Sequence, residues 1–243
     1  MACFLLIHGG FCRGWVWAET ADALQEEGHR VEVIDLPSCG AEGDRLGDLA
    51  ADVAAVRGAL ERIGVHVVLV AHSSSGVLLT EFADHPSVRH SVYLAAFWPQ
   101  QGQSFADVSG DQIPDWMVLR NDGTAQVSPD PEVVRQALSA DVDAERFAAE
   151  VHPRYVLQSL AGAASPSTAP KPAHPTTYII CEQDRAVPPQ AQEAMSAGAD
   201  HVVRLQSSHS PFLSMPKQLA SVLDSIAARN DRGATLEAGG ANS

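Results

Sequence analysis

Val67-Val68-Leu69-Val70-Ala71-His72-Ser73-Ser74-Ser75-Gly76-Val77-Leu78-Leu79 is the stretch that decides the fold of this chain. A β-branched apolar run stops at a cluster of small residues and resumes as a helix-forming segment. That is the sequence form of a nucleophile elbow, a sharp strand-to-helix turn that lifts a serine hydroxyl clear of a sheet. Strand and helix approach closely there, so the positions two before and two after the serine must be small. Ser73 has Ala71 and Ser75 at those places. Ser74 would have His72 and Ser75 would have Val77, both too bulky. Ser73 is the candidate nucleophile.

Outward from the elbow, short apolar runs alternate with helical patterns, the order expected of parallel strands joined by crossover helices. Residues 4–7, 31–34, 65–71, 92–97, 177–181 and 202–205 read as strands. Residues 15–27 read as a helix stopped by Gly28. Leu46, Leu49, Val53, Val56, Leu60 and Ile63 recur at steps of three and four, one apolar face of a long helix. A final helix carries Leu219, Val222, Leu223 and Ile226 on one side. The fold class expected is α/β, a mostly parallel sheet of about six strands with flanking helices.

Residues 100–175 break this rhythm. No strand pattern shows there, while helical pieces fall at 113–119, 131–138 and 144–160. An insertion that long between strands of a regular sheet is usually functional. It would lie over the C-terminal sheet edge, where open α/β sheets bind ligands. The expected division is therefore a core of residues 1–99 and 176–229 and a helical cap over 100–175. The cap ends in a Pro/Ser/Ala-rich connector, and a disordered tail is expected over 230–243.

Composition narrows the class of function. The chain has 243 residues, 45% of them hydrophobic, enough for one large domain with a sizeable core. Sixteen Lys and Arg against 30 Asp and Glu leave a net charge of −14. Such a surface repels phosphate backbones and anionic lipid, so neither nucleic acid nor a membrane is expected as partner. No uninterrupted apolar run reaches about 18 residues, and the N-terminus lacks the features of an export signal. Cys3, Cys12, Cys39 and Cys181 are scattered, which indicates neither a zinc site nor a disulfide framework. Cytoplasmic residence is the expectation, and a homodimer is left open.

A serine hydroxyl attacks only if a base takes its proton, and a third group must hold that base in one tautomer. On this fold the partners follow in the order serine, acid, histidine. Asp184 sits three residues after the run ending at Cys181, and His209 follows the last strand. Glu182 competes as the acid but stands too close to strand register. The backbone N–H groups of Ser74 and Gly10 are the expected oxyanion donors. His8 reads as a structural hydrogen-bonding residue and His72 as a packing residue. Phe11, Trp98 and Trp116 are the candidate substrate contacts of an apolar or aromatic pocket.

These motifs resemble a known family. Phe4-Leu5-Leu6-Ile7-His8-Gly9-Gly10 followed by Gly14-Trp15-Val16-Trp17 is similar to the α/β-hydrolase group that contains plant methylesterases and hydroxynitrile lyases. The likeness recurs at Ala71-His72-Ser73, Leu94-Ala95-Ala96-Phe97-Trp98-Pro99, Tyr178-Ile179-Ile180-Cys181-Glu182-Gln183-Asp184 and His209-Ser210-Pro211-Phe212-Leu213-Ser214-Met215-Pro216. It spans both ends of the core and fails in the cap. The resemblance implies a Ser73–His209–Asp184 triad with Gly10 and Ser74 as oxyanion donors, and no cofactor. The lyases of the group use a threonine in the first loop and a lysine after the catalytic histidine. Here those places hold Gly10-Phe11 and Ser210, which disfavours cyanohydrin cleavage. The expectation is a cofactor-free serine esterase acting on a small apolar or aromatic ester. The alternatives are a lyase or cyclase on the same scaffold and a ligand-binding relative.

Overall fold

The computed structural model describes residues 1–110, 112–168 and 171–239, with side chains described as far as Arg229. In chain order the first half contributes β1 (Cys3–Ile7), α1 (Ala18–Glu26), β2 (Arg30–Ile34), β3 (Cys39–Gly40), α2 (Leu49–Ile63), β4 (Val67–His72), α3 (Gly76–Thr80) and β5 (Val88–Leu94). The insertion adds α4 (Phe105–Ser109), β6 (Met117–Leu119), β7 (Thr124–Val127), α5 (Pro131–Leu138), α6 (Ala144–Arg146) and β8 (Leu157–Ser159). The chain then returns through β9 (Thr176–Cys181), α7 (Pro189–Ser196), β10 (His201–Leu205), α8 (Pro211–Ser214) and α9 (Pro216–Gly239).

The main sheet has six strands in the order β10-β9-β5-β4-β1-β2, and every neighbouring pair is parallel. Because side chains alternate across a strand, each strand feeds both faces. Phe4, Leu6, Val68, Val70, Val92, Leu94 and Ile179 pack on one side with Leu24 of α1 and Leu219, Leu223 and Ile226 of α9. Leu5, Ile7, Leu69, Ala71, Tyr93, Tyr178 and Ile180 pack on the other with Val56, Leu60 and Ile63 of α2 and Leu78 and Leu79 of α3. A strand apolar on both faces has no period of two, which is why these runs read as continuous hydrophobic blocks.

Helix ends follow their local chemistry. The Asp48 carboxylate accepts from the Ala51 N–H at 3.0 Å and starts α2, whereas Gly64, at φ 66°, ends it in the left-handed region. Asp130 caps α5 ahead of Pro131 in the same way.

Two expectations need correcting. The insertion is not wholly helical. β6, β7 and β8 form an antiparallel sheet with β3 in the order β3-β8-β7-β6. Residues 113–119 end in strand β6, and the helical pattern at 144–160 breaks after Arg154 and runs into β8. These strands span three or four residues each, too short for alternation to show, and the partner of β8 is a segment of the core more than 100 residues away. The pairing of Cys39 with Gln158 and Gly40 with Leu157 fastens this sheet to the loop after β2. At the other end of the chain, helical backbone continues to Gly239, past residue 230 where a disordered tail was expected. The rest of that tail, 240–243, lies outside the described residues.

Candidate active site

The nucleophile candidate stands where β4 turns into α3. Ser73 has φ 54°, a left-handed conformation for a residue with a Cβ, and such strain is held only where the surroundings over-determine it. Three contacts do so. The Phe97 N–H donates to the Ser73 carbonyl at 3.0 Å, the buried Ser75 hydroxyl donates to the His8 carbonyl, and Gly76 lies against the strand end. A Cβ on Gly76 would fall 2.3 Å from the Phe97 carbonyl oxygen, and one on Gly9 would fall 2.7 Å from His72 Nδ1. The elbow and the first loop can meet only because both positions lack a side chain.

His209, in the loop after β10, approaches Ser73 from the far side of the sheet order. Its Nε2 lies 2.9 Å from Ser73 Oγ, and its Nδ1 lies 2.6 Å from Asp184 Oδ2. A carboxylate only accepts, so Nδ1 carries the hydrogen and Nε2 is left to accept from the serine. Asp184, in the loop after β9, is 4% exposed and fully committed. Its Oδ1 accepts from the N–H groups of Ala186 and Val187 at 2.8 and 2.9 Å, and its Oδ2 also accepts from Gln192 Nε2 at 2.9 Å. The three residues expected to act together are brought together. Glu182, the competing acid, instead faces Arg204 at 3.5 Å.

Several side chains that hold this line were not singled out in the sequence. Gln192 of α7 is wholly buried, and besides Asp184 it donates to the Val187 carbonyl at 2.7 Å and accepts from the Cys181 N–H at 2.9 Å. Asp141 of the insertion accepts the Ser208 N–H at 2.9 Å and the Ser208 hydroxyl, tying the insertion to the loop before His209. Nothing in the sequence marks these residues, since a glutamine on a helix and an aspartate between helices are ordinary surface choices. His72 does more than pack, because its Nε2–H donates to the His209 carbonyl at 2.9 Å.

His8 is the structural residue expected. It is fully buried, accepts from the Leu36 N–H through Nε2 at 3.0 Å and donates from Nδ1 to the Gly9 carbonyl at 2.8 Å. Burial pulls its pKa down to about 4, and burial likewise holds the pKa of His72 well below the usual imidazole range. The four cysteines are buried free thiols whose pKa values burial pushes up, so none competes as a thiolate nucleophile. Among the described residues no group of His, Cys, Asp and Glu is placed to hold a metal ion.

Of the oxyanion candidates, Gly10 and Ser74 are brought into contact: the Gly10 N–H donates to Ser74 Oγ at 2.9 Å. Ser74 is the second residue of the turn and is partly exposed. Phe11, with φ 62°, and Trp116 meet edge to face with ring centroids 5.7 Å apart, which joins the first loop to the insertion. Trp98 departs from expectation. It is 5% exposed and stacks on Tyr93 at 4.0 Å, within the core cluster on the α2 side of the sheet. Its neighbour Phe97, whose N–H bonds the elbow, is half-buried and packs against Phe105 of the insertion.

A family model described as the alpha/beta hydrolase family matches residues 4–222. The chain belongs to the alpha/beta hydrolase family. Within it, the chain is similar to a carbendazim hydrolyzing esterase of Nocardioides sp., 35% identical over 120 residues, covering 47% of this chain and 50% of that one. It is also similar to methylesterase 7 of Arabidopsis thaliana, 28% identical over 257 residues, covering 92% of this chain and 95% of the relative. The match to a second Arabidopsis methylesterase covers 63% of that protein's length. Among solved structures, a pyrethroid hydrolase from Sphingobium faniae superposes with a TM-score of 0.80 at 25% identity, covering 96% of this chain and 99% of the other. No described helix is long and apolar enough to cross a membrane.

Proposed function

We propose that this alpha/beta hydrolase is a cofactor-free serine esterase that cleaves a small carboxylic ester through an acyl-enzyme. The observation that carries the reading is the continuous line from Ser73 Oγ through His209 to the buried Asp184 carboxylate. Ester cleavage as the reaction class is supported by relatives named as an esterase, a methylesterase and a pyrethroid hydrolase.

The chemistry follows from the tautomer. Ser73 Oγ forms a bond to the ester carbonyl carbon while its proton passes to His209 Nε2, and the carbonyl π pair moves onto oxygen. Asp184 stabilises the resulting imidazolium without taking its proton. The oxyanion collapses, the bond to the alkoxy oxygen breaks, and His209 returns the proton to the leaving alcohol. A water then repeats the sequence on the acyl-serine and releases the acid. The oxyanion is met by hydrogens at the elbow, the Ser74 N–H among them, because the first amides of a helical turn have no partner within the turn. Ser210 follows His209 where the related lyases carry a lysine, so no cation stands there to receive a cyanide leaving group.

The test uses 4-nitrophenyl acetate and a fluorophosphonate. Ser73→Ala should lower turnover by on the order of 10⁴-fold or more, and labelling of the natural chain should map to Ser73. Unchanged turnover in the variant, or a label mapped elsewhere, refutes the assignment.

A further inference from the structure

We infer that the side-chain hydroxyl of Ser74 is itself a catalytic oxyanion donor, with the Gly10 N–H acting through it rather than on the substrate directly. The inference rests on the esterase reading above. Its origin is one contact that the expected oxyanion hole does not contain: the Gly10 N–H, a main-chain donor meant for substrate, is already directed at Ser74 Oγ, 2.9 Å away. A Cβ placed on Gly10 would lie 3.3 Å from the same oxygen, so the Ser74 side chain fills the space beside Gly10.

A hydroxyl accepts through its lone pairs and donates through a proton that rotates independently. With the Gly10 N–H fixed on a lone pair, the Ser74 O–H remains for a second partner. Ser74 immediately follows the nucleophile and is partly exposed, so that proton can turn toward a carbonyl oxygen attacked by Ser73. The Gly10 bond polarises the hydroxyl and strengthens its donation, as in any chain of hydrogen bonds. No proton changes owner at Ser74. The only transfer is from Ser73 Oγ to His209 Nε2, while the charge developing on the carbonyl oxygen is met by the Ser74 N–H and the Ser74 O–H.

The surroundings leave Gly10 no better route. The other atom close to its Cβ position is Gln158 Oε1, at 3.2 Å, an acceptor that takes the Cys39 thiol hydrogen at 3.0 Å. The Gln158 amide hydrogens are engaged with the Ser159 carbonyl at 3.0 Å and the Ser38 carbonyl at 3.4 Å. Gln158 therefore brings an acceptor to this corner, with its amide hydrogens already engaged. Ser74 Oγ, which accepts from Gly10, keeps its own hydrogen to give.

The experiment compares the natural chain with Ser74→Ala and Ser74→Gly on 4-nitrophenyl acetate. It also measures inhibition by an aryl trifluoromethyl ketone, which adds to the serine as a charged hemiketal. The expected result is a fall in kcat of about 10²-fold, the usual cost of one oxyanion donor, with KM within about threefold. The ketone should weaken by a similar factor, and the melting temperature should hold. A variant that melts like the natural chain and turns over as fast or faster overturns the inference, because the hydroxyl would then only occupy space and Gly10 would serve directly. A fall in kcat with no weakening of the ketone also overturns it. If the phosphonate fails to label Ser73 in the natural chain, the esterase reading falls with it. Labelling retained beside undiminished Ser74→Ala turnover overturns the oxyanion assignment alone.

Discussion

The imidazole of His72 hydrogen-bonds the backbone of His209: its Nε2–H donates to the His209 carbonyl at 2.9 Å, with ring centroids 4.5 Å apart. The residue before the proposed nucleophile thus grips the main chain of the proposed base. Both histidines are buried, so deleting the donor would strand a carbonyl, a loss of roughly 1–3 kcal/mol. His72→Phe keeps an aromatic ring but no donor. It should lower the urea midpoint and reduce kcat by about tenfold, equivalent to roughly 1.4 kcal/mol of transition-state stabilisation. His72→Gln, which can donate again, should recover most of kcat. Equal loss in both variants would leave His72 as packing alone.

Gln192 is the hub behind Asp184, with hydrogen bonds to that carboxylate and to the backbone of Cys181 and Val187. Gln192→Leu matches its size and removes every one. Because partners are left buried and unpaired, the cost should be about 2–4 kcal/mol in chemical denaturation, with a parallel loss of ester turnover. A change within 0.5 kcal/mol would show that water or a shifted loop replaces it.

Two glycines on helices should respond in opposite directions. A methyl at Gly76 would meet the Phe97 carbonyl at 2.3 Å, backbone of a residue whose N–H is tied to the Ser73 carbonyl and which cannot step aside. Gly76→Ala should therefore destabilise by about 3 kcal/mol or prevent folding. A methyl at Gly58 within α2 would meet only the mobile end of Arg62, at 3.5 Å. Gly58→Ala should stabilise by up to about 1 kcal/mol. Thermal melts of the two variants settle the contrast.

Acid should unfold this protein through its buried histidines. His8 keeps its neutral form in the fold, with a pKa of about 4, while in the unfolded chain it titrates near 6.5. The unfolded state therefore binds a proton first. The stabilisation is fully present above pH 6.5 and is lost as pH falls toward 4, on the order of 3 kcal/mol for this residue. His174, whose pKa burial also lowers to about 4, adds in the same window. His8→Gln keeps an acceptor for the Leu36 N–H and has nothing to titrate, so its urea midpoint should fall less between pH 7 and 4. Parallel curves for the two proteins would refute this.

Much of the site was legible because its constraints are local. The elbow needs small residues around Ser73, and the acid and base need loops just past later strands. Asp184 and His209 satisfy that order by position in the chain. Trp98 was named as a pocket residue for its aromatic type alone, and type does not say where a ring points once β5 ends at Leu94 and the backbone turns through Ala95 at φ 44°. The Trp98 ring consequently stacks on Tyr93 rather than standing over the serine.

By itself the sequence determined the layered α/β architecture, and it singled out the elbow and the serine, acid and histidine proposed to act there. Those follow from hydrophobic period, from steric limits at one turn and from chain order, all of which act over a few residues. Tertiary structure alone decided that β6 to β8 pair into a sheet with β3. It alone also decided that Gln192 and Asp141 brace the acid and the histidine loop, and that Ser74 Oγ receives the Gly10 amide. The β3–β8, Asp141–Ser208 and Gly10–Ser74 pairs join groups far apart in the chain, and Gln192 reaches Asp184 from the next helix. A hydrogen bond carries no trace in either partner's neighbours until folding sets donor and acceptor about 3 Å apart.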